Sequence, residues 1–190
     1  NGVAVRFTPS EYVFVTGANI YFWDEWWPYP GGNEIKVAIF DTDHNGNPSA
    51  MVGEPKLVSI NRGDWNYIDL SEFGFGTDRD FLIATVQIDT SQYSPGIAID
   101  ATTTSDRSYI HLLGEEFVPI SDINMDGAIM IRARVQNSAE LPVITNLEEI
   151  TYTNQDSITV EGTVVTDGKV NIYANERKIE LQTEDGAFST

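Results

Sequence analysis

Two short segments place oxygen side chains at alternate positions ahead of a glycine. Asp41-Thr42-Asp43-His44-Asn45-Gly46 carries them at positions one, three and five, with Gly at six, and Asp122-Ile123-Asn124-Met125-Asp126-Gly127 repeats the spacing. Calcium, a hard cation, takes such oxygens from a tight loop. Position twelve, where a bidentate Glu completes an EF-hand loop, is Val52 in the first segment and Ala133 in the second, and no helix-period stretch flanks either. The same residues favour Asx and glycine turns without metal. Calcium at Asp41, Asp43 and Asn45, and at Asp122, Asn124 and Asp126, is therefore an expectation that stands beside a plain turn.

A second cluster is aromatic. Tyr21, Phe22, Trp23, Trp26, Trp27 and Tyr29 fall within nine residues, and Pro30-Gly31-Gly32 follows. In a strand, half of such residues point away from the core. Exposed Trp and Tyr offer flat apolar faces that stack on sugar rings or anchor a protein partner. The competing reading has Phe22 and Trp23 ending a buried strand while the Trp26-Trp27 loop closes a sandwich. Trp23, Trp26, Trp27 and Tyr29 are the candidate ligand-binding residues.

Hydrolytic machinery has little to build on. His44 and His111 are the two histidines, and neither H-E-x-x-H, G-x-S-x-G nor a glycine-rich phosphate loop occurs. Ser108 and His111 sit three apart in one strand pattern, so their side chains face opposite ways. The acid pairs Glu115-Glu116 and Asp78/Asp80 have the composition of a glycosidase dyad, but a chain with 29 acids produces such pairs by chance. No catalytic residue is assigned.

The elements that would position these residues are strands. Glu34–Asp41, Trp65–Leu70, Phe81–Ile88, Arg107–Leu112 and Ala128–Val135 are short, β-rich and bounded by turn residues, as in an antiparallel sandwich. In the last of them Ile129, Ile131, Ala133 and Val135 share one face, and Met130, Arg132 and Arg134 share a wetter one. Ser71–Gly74 and Gln92–Tyr93 have room for one helical turn each. A polar stretch from Gln136 to Pro142 reads as a hinge. Beyond it Ser157–Val165, Lys169–Asn175, Arg177–Gln182 and a start at Ala187 read as further strands, with turn signals at Asp167-Gly168 and Asp185-Gly186.

Charge narrows the classes. The 190 residues carry 11 Lys+Arg against 29 Asp+Glu, a formal charge of -18. Binding of nucleic acid through a basic face and adhesion to anionic membranes are both disfavoured. The acids are dispersed: 8 basic and 19 acidic residues precede position 138, and 3 and 10 follow it. There is no cysteine, which removes disulfides and thiolate chemistry. No apolar run is long enough to span a bilayer. The abrupt ends at Asn1-Gly2-Val3 and Phe188-Ser189-Thr190 lead us to expect a piece of a longer protein.

The segment from Tyr21-Phe22-Trp23 through Pro30-Gly31-Gly32-Asn33-Glu34-Ile35-Lys36-Val37-Ala38-Ile39-Phe40-Asp41 resembles a region C-terminal to the protease domain in bacillopeptidase F-like secreted subtilases. So do Arg62-Gly63-Asp64-Trp65, Ser94-Pro95-Gly96-Ile97-Ala98-Ile99-Asp100, Arg107-Ser108-Tyr109 and Met130-Ile131-Arg132-Ala133-Arg134-Val135. The resemblance covers residues 1-137, and the tail is similar to bacterial immunoglobulin-like modules. It implies an exported or cell-surface bacterial serine endopeptidase whose catalytic Asp, His and Ser lie upstream of this chain.

The expectation is an all-β chain. A jelly-roll-like sandwich would occupy residues 1-137, a linker 138-141, and a truncated immunoglobulin-like module 142-190. Functionally it would be a non-catalytic accessory or spacer region, partnered by the upstream protease domain in the same chain and by cell-wall or protein substrate. A carbohydrate-binding or adhesive module using Trp26 and Trp27 is the alternative.

Overall fold

In the computed structural model the described residues are 2–24, 26, 31–88, 94–111, 117–137, 143–144, 160–163, 169–174, 177–182 and 187–189. They fall in two compact units, Asn1–Val135 and Gln136–Thr190. The fold is predominantly antiparallel β-sheet arranged in sandwich-like layers, with short 3-10 turns among the described residues at Ser71–Phe73 and Ile120–Ile123.

The strands of the first unit, in chain order, are β1 (Gly2–Phe7), β2 (Val13–Tyr21), β3 (Glu34–Thr42), β4 (Pro48–Ser59), β5 (Trp65–Asp69), β6 (Gly76–Thr77), β7 (Phe81–Val86), β8 (Ile99–Asp100), β9 (Ser108–His111), β10 (Phe117–Pro119), β11 (Ala128–Ile129) and β12 (Ile131–Asn137). One sheet runs β10-β9-β1-β7-β3-β4. A second runs β12-β2-β5, with β6 also paired to β2, and β8 pairs with β11. The β8–β11 ribbon is tied to β2: Tyr21 N–H donates to the Met130 carbonyl, and Ala98 N–H donates to that of Tyr21.

Period-two alternation explains the layers. Val5, Val37, Ile39, Phe81 and Ile83 of the large sheet and Val15, Ile20, Phe22, Ile68 and Ile131 of the smaller one all belong to one buried core. Side chains from both inner faces therefore meet between the sheets. The opposite face of the large sheet buries a second cluster, Ala4, Leu82, Ala84 and Tyr109, with Phe40 and Phe117 packed on it. Phe40 of β3 and Phe117 of β10 meet edge to face with ring centroids 5.1 Å apart, although β9, β1 and β7 separate their strands in sheet order. The sheet is thus curled, with Ala4, Leu82, Ala84 and Tyr109 in the hollow under these rings. Buried on both faces, β7 reads as an unbroken apolar run, Phe-Leu-Ile-Ala-Thr-Val.

The two-faced reading of residues 128–135 holds for Ile129 and Ile131, which are buried, and for Arg132 and Arg134, which are exposed. It fails at Val135, which lies at the end of the strand beyond the core and is 46% exposed. Met130 divides the segment into β11 and β12 because its carbonyl and N–H serve Tyr21 and Ala98 respectively. The strands β1 and β4 have no counterpart among the expected strands, and β2 has one only in the reading that ends a buried strand at Phe22 and Trp23.

In the second unit β13 (Val143–Ile144), β14 (Glu161–Thr163) and β17 (Ala187–Ser189) form one sheet in that order, and β15 (Lys169–Ala174) pairs with β16 (Arg177–Gln182) as a hairpin. The expected linker at 138-141, Gln92–Tyr93 and both ends of the expected Ser157–Val165 strand lie outside the described residues.

Candidate functional site

The first Asp-rich loop joins β3 to β4. The antiparallel partners β3 and β4 must reconnect within a few residues, and Asp43 organises the reversal. One carboxylate oxygen accepts the N–H groups of Asn45 (2.8 Å) and Asn47 (2.9 Å), while the other accepts the Asn47 side-chain amide at 3.2 Å. These are the bonds of an Asx turn. The Asn47 N–H, with those from Asn45 and the Asn47 amide, holds the Asp43 carboxyl below its usual pKa. Gly46 supplies φ +79° where the turn needs it. Asp41 is engaged elsewhere, pairing with Arg79 at 2.9 Å, and Asn45 is exposed.

The second loop follows β10. Ile120, 2% exposed, is anchored in the core, and the chain turns through Ile120–Ile123 as a 3-10 turn closed by Asn124 at φ 58°. Asn124 N–H donates to the Ser121 carbonyl, and Met125 N–H donates to that of Ile120. Asp122, Asn124 and Asp126 are all exposed. Among the described residues no group of three or more His, Asp and Glu side chains is placed to hold a metal ion.

Among the aromatic candidates, Phe22 is fully buried and bridges to Ile97. Trp23, 47% exposed, and Trp26, 75% exposed, are largely in solvent. Trp26 N–H donates to the Asp24 carboxylate at 3.0 Å, which turns the chain there. Trp27 and Tyr29 lie outside the described residues.

The structure gathers a further set that the sequence did not bring together. The outward positions of the β12-β2-β5 sheet carry Tyr21 on β2, Trp65 and Tyr67 on β5, and Arg132 and Arg134 on β12. Tyr21 stands opposite Trp65, and Asn19 opposite Tyr67. The Tyr21 and Trp65 rings meet edge to face at 5.5 Å, and the Tyr21 hydroxyl donates to the Gly63 carbonyl. Arg132 reaches across β2 to place its guanidinium 4.2 Å from the Trp65 ring centre. Such a stack contributes about 0.5–1 kcal/mol on an exposed surface. Tyr67, 60% exposed, lies over Gly17, where a Cβ would come within 2.7 Å of its ring. The sequence signals for this set were separate ones: the wet-face alternation of Arg132 and Arg134, the place of Tyr21 in the aromatic run, and the expected strand that carries Trp65 and Tyr67.

Ser108 and His111 do not form a nucleophile and base pair. Ser108 is buried and its hydroxyl oxygen accepts the Ile129 N–H at 3.0 Å, fixing β9 to β11. His111 packs on Phe117 with ring centres 4.8 Å apart, and burial lowers its pKa. Asp80 pairs with Arg6 at 3.6 Å. Asp78 is exposed, and Glu115 and Glu116 lie outside the described residues.

The chain is homologous to part of Bacillopeptidase F of Bacillus subtilis (strain 168), with 36% identity over 196 residues. The match covers 99% of this chain and 14% of the relative, so the chain spans only a small part of that relative's length. No family model and no solved structure matches it.

Proposed function

We propose that this chain, homologous to a small part of Bacillopeptidase F, is a non-catalytic accessory region of a secreted multidomain serine endopeptidase. It positions the catalytic domain at protein substrate or the cell envelope. The observation that carries this reading is the coverage: nearly all of this chain matches, yet only 14% of the relative is involved. The commitment of Ser108 to Ile129 and of His111 to Phe117 supports it. On the same reading the first unit is a jelly-roll-like sandwich spanning residues 1-137, and residues 142-190 are an immunoglobulin-like module after a 138-141 linker. A second reading, a carbohydrate-binding or adhesive module, is favoured by the exposure of Trp23 and Trp26.

The test is deletion of this region from the full-length parent protein. Turnover of a short chromogenic peptide should be unchanged, while hydrolysis of an insoluble protein or retention on bacterial envelopes should fall. Equal activity and retention with and without the region would dismiss the positioning role, and loss of peptide turnover would assign the region to the catalytic unit.

A further inference from the structure

The outer face of the β12-β2-β5 sheet combines two features that the accessory reading does not use. One is a row of rings. Tyr67 lies over Gly17 with most of its surface in solvent, and Trp23 follows Tyr21 two residues on, past the inward-pointing Phe22. Alternation places Trp23 on the side of Tyr21. The other feature is a pair of guanidiniums. Arg132 and Arg134 are two residues apart on one strand, hence about 7 Å apart at the backbone and on the same face. Both are exposed. Arg6, Lys56 and Arg79 each have a carboxylate within 4 Å, and among the described residues neither Arg132 nor Arg134 has one.

We infer that this face binds a short carboxylated sugar chain, with pyranose rings on Tyr67 and Trp23 and a carboxylate held by Arg132 and Arg134. The rings supply flat apolar surface for the C–H faces of sugars, and the guanidinium edges supply paired N–H donors for a carboxylate. An acidic peptide added as a strand at β12 fits less well. Arg132 leans away from that edge and across β2 to Trp65, so its donors lie over the face. The formal charge of -18 opposes a long polyanion but not a short one. At physiological ionic strength charges beyond about 8 Å are screened, which limits the repulsion a short ligand meets from distant acids. The face shares Trp23 with the carbohydrate-binding reading above, while Tyr67, Arg132 and Arg134 lie outside the residues that reading names.

The test titrates the 190-residue chain with a short oligogalacturonate, its methyl ester and an oligoglutamate, followed by tryptophan fluorescence and calorimetry. Oligogalacturonate should bind saturably. The ester, with the same rings and no charge, should bind roughly tenfold more weakly or worse, and oligoglutamate should not saturate. Arg134→Gln leaves the Arg132–Trp65 stack in place and should cost roughly tenfold in affinity with an unchanged melting temperature. Tyr67→Ala should also weaken binding, and Trp26→Ala should leave it unaltered. The inference is overturned by equal affinity for acid and ester, by oligoglutamate binding as tightly, by an unaffected Arg134→Gln variant, or by absence of saturation with oligogalacturonate.

Discussion

Asp41–Gly46 and Asp122–Gly127 carry oxygen side chains at the same three offsets and a glycine at the sixth, yet the first closes a hairpin around one carboxylate and the second caps a 3-10 turn with its acids in solvent. In the first loop Asp43 accepts three hydrogen bonds from Asn45 and Asn47. In the second, backbone bonds from Asn124 and Met125 to Ser121 and Ile120 make the turn. The difference lies in what the flanks must do. The strands β3 and β4 are hydrogen-bonded neighbours, whereas the chain beyond Asn124 must carry β11 to β8 from a point fixed by buried Ile120. Spacing of polar residues asks for a turn, and the packing on either side selects which.

The sharpest way to break this contrast is to remove the anchor. Ile120→Ala should cost about 2–5 kcal/mol, the range for truncating a buried Ile, measured by chemical denaturation. In the same variant the Asp43 turn should keep its native amide chemical shifts. A comparable loss of structure in both loops would mean that they are not independently determined.

The two glycines come next. Gly127 sits at φ 129°, and a Cβ there would lie 2.4 Å from Ile99 Cγ2 and 2.9 Å from the Asp100 carbonyl oxygen. Gly127→Ala should destabilise by about 2–4 kcal/mol, combining backbone strain with overpacking. Gly46 has φ +79°, but its nearest neighbour would be the end of the Asp80 side chain at 3.3 Å. Gly46→Ala should cost about 1 kcal/mol, the conformational part alone. Equal costs would show that the sixth-position glycines serve one role in both loops.

What could be read in advance follows the same division between local and non-local. The strands β3 and β7 were legible because Ile35, Val37 and Ile39 alternate and Phe81–Val86 is uniformly apolar. The strand β4 was hidden by Gly53, Pro55 and its exposed Met51 and Leu57, features of an edge strand rather than a buried one. The strand β2 was hidden by Gly17, whose role is to seat the Tyr67 ring some fifty residues away. The wet face of Arg132 and Arg134 was visible as alternation. Its meeting with Trp65 was not, because that contact depends on β2 lying between β5 and β12, and one-dimensional patterns carry no strand order.

A finer distinction between the loops is electrostatic. Folding lowers the Asp43 carboxyl pKa, chiefly through the Asn47 N–H, so the ionised form is favoured in the native state. That stabilisation is complete above the unfolded value of about 4 and is lost as pH falls through the lower native value. Asp122 and Asp126 accept no such set of bonds among the described residues. Lowering the pH from 5 to 2 should therefore reduce the melting temperature less in Asp43→Asn than in the unaltered chain. Identical pH profiles for the two would remove the Asx turn as a source of stability.

The smallest effect concerns calcium, a proposal for both loops that their geometry makes unequal. In the first loop a cation must compete with Arg79 for Asp41. That ion pair is half-exposed and worth at most about 1 kcal/mol, so the competition is not prohibitive. A ligand that binds only the native state adds RT ln(1 + [L]/Kd) to stability, which is about 0.4 kcal/mol when calcium equals its Kd. Millimolar calcium should accordingly raise the melting temperature slightly above that in chelator. Arg79→Ala should enlarge the increment by freeing Asp41. In the second loop Asp122, Asn124 and Asp126 have no cation to displace among the described residues, but their turn is already closed by backbone bonds and none of the three is drawn inward, so Asp122→Ala should leave the increment unchanged. Coincident melting curves in calcium and chelator, for both the unaltered chain and Arg79→Ala, would leave Asp43 with a purely structural turn. An increment abolished by Asp122→Ala would transfer the proposed site to the second loop.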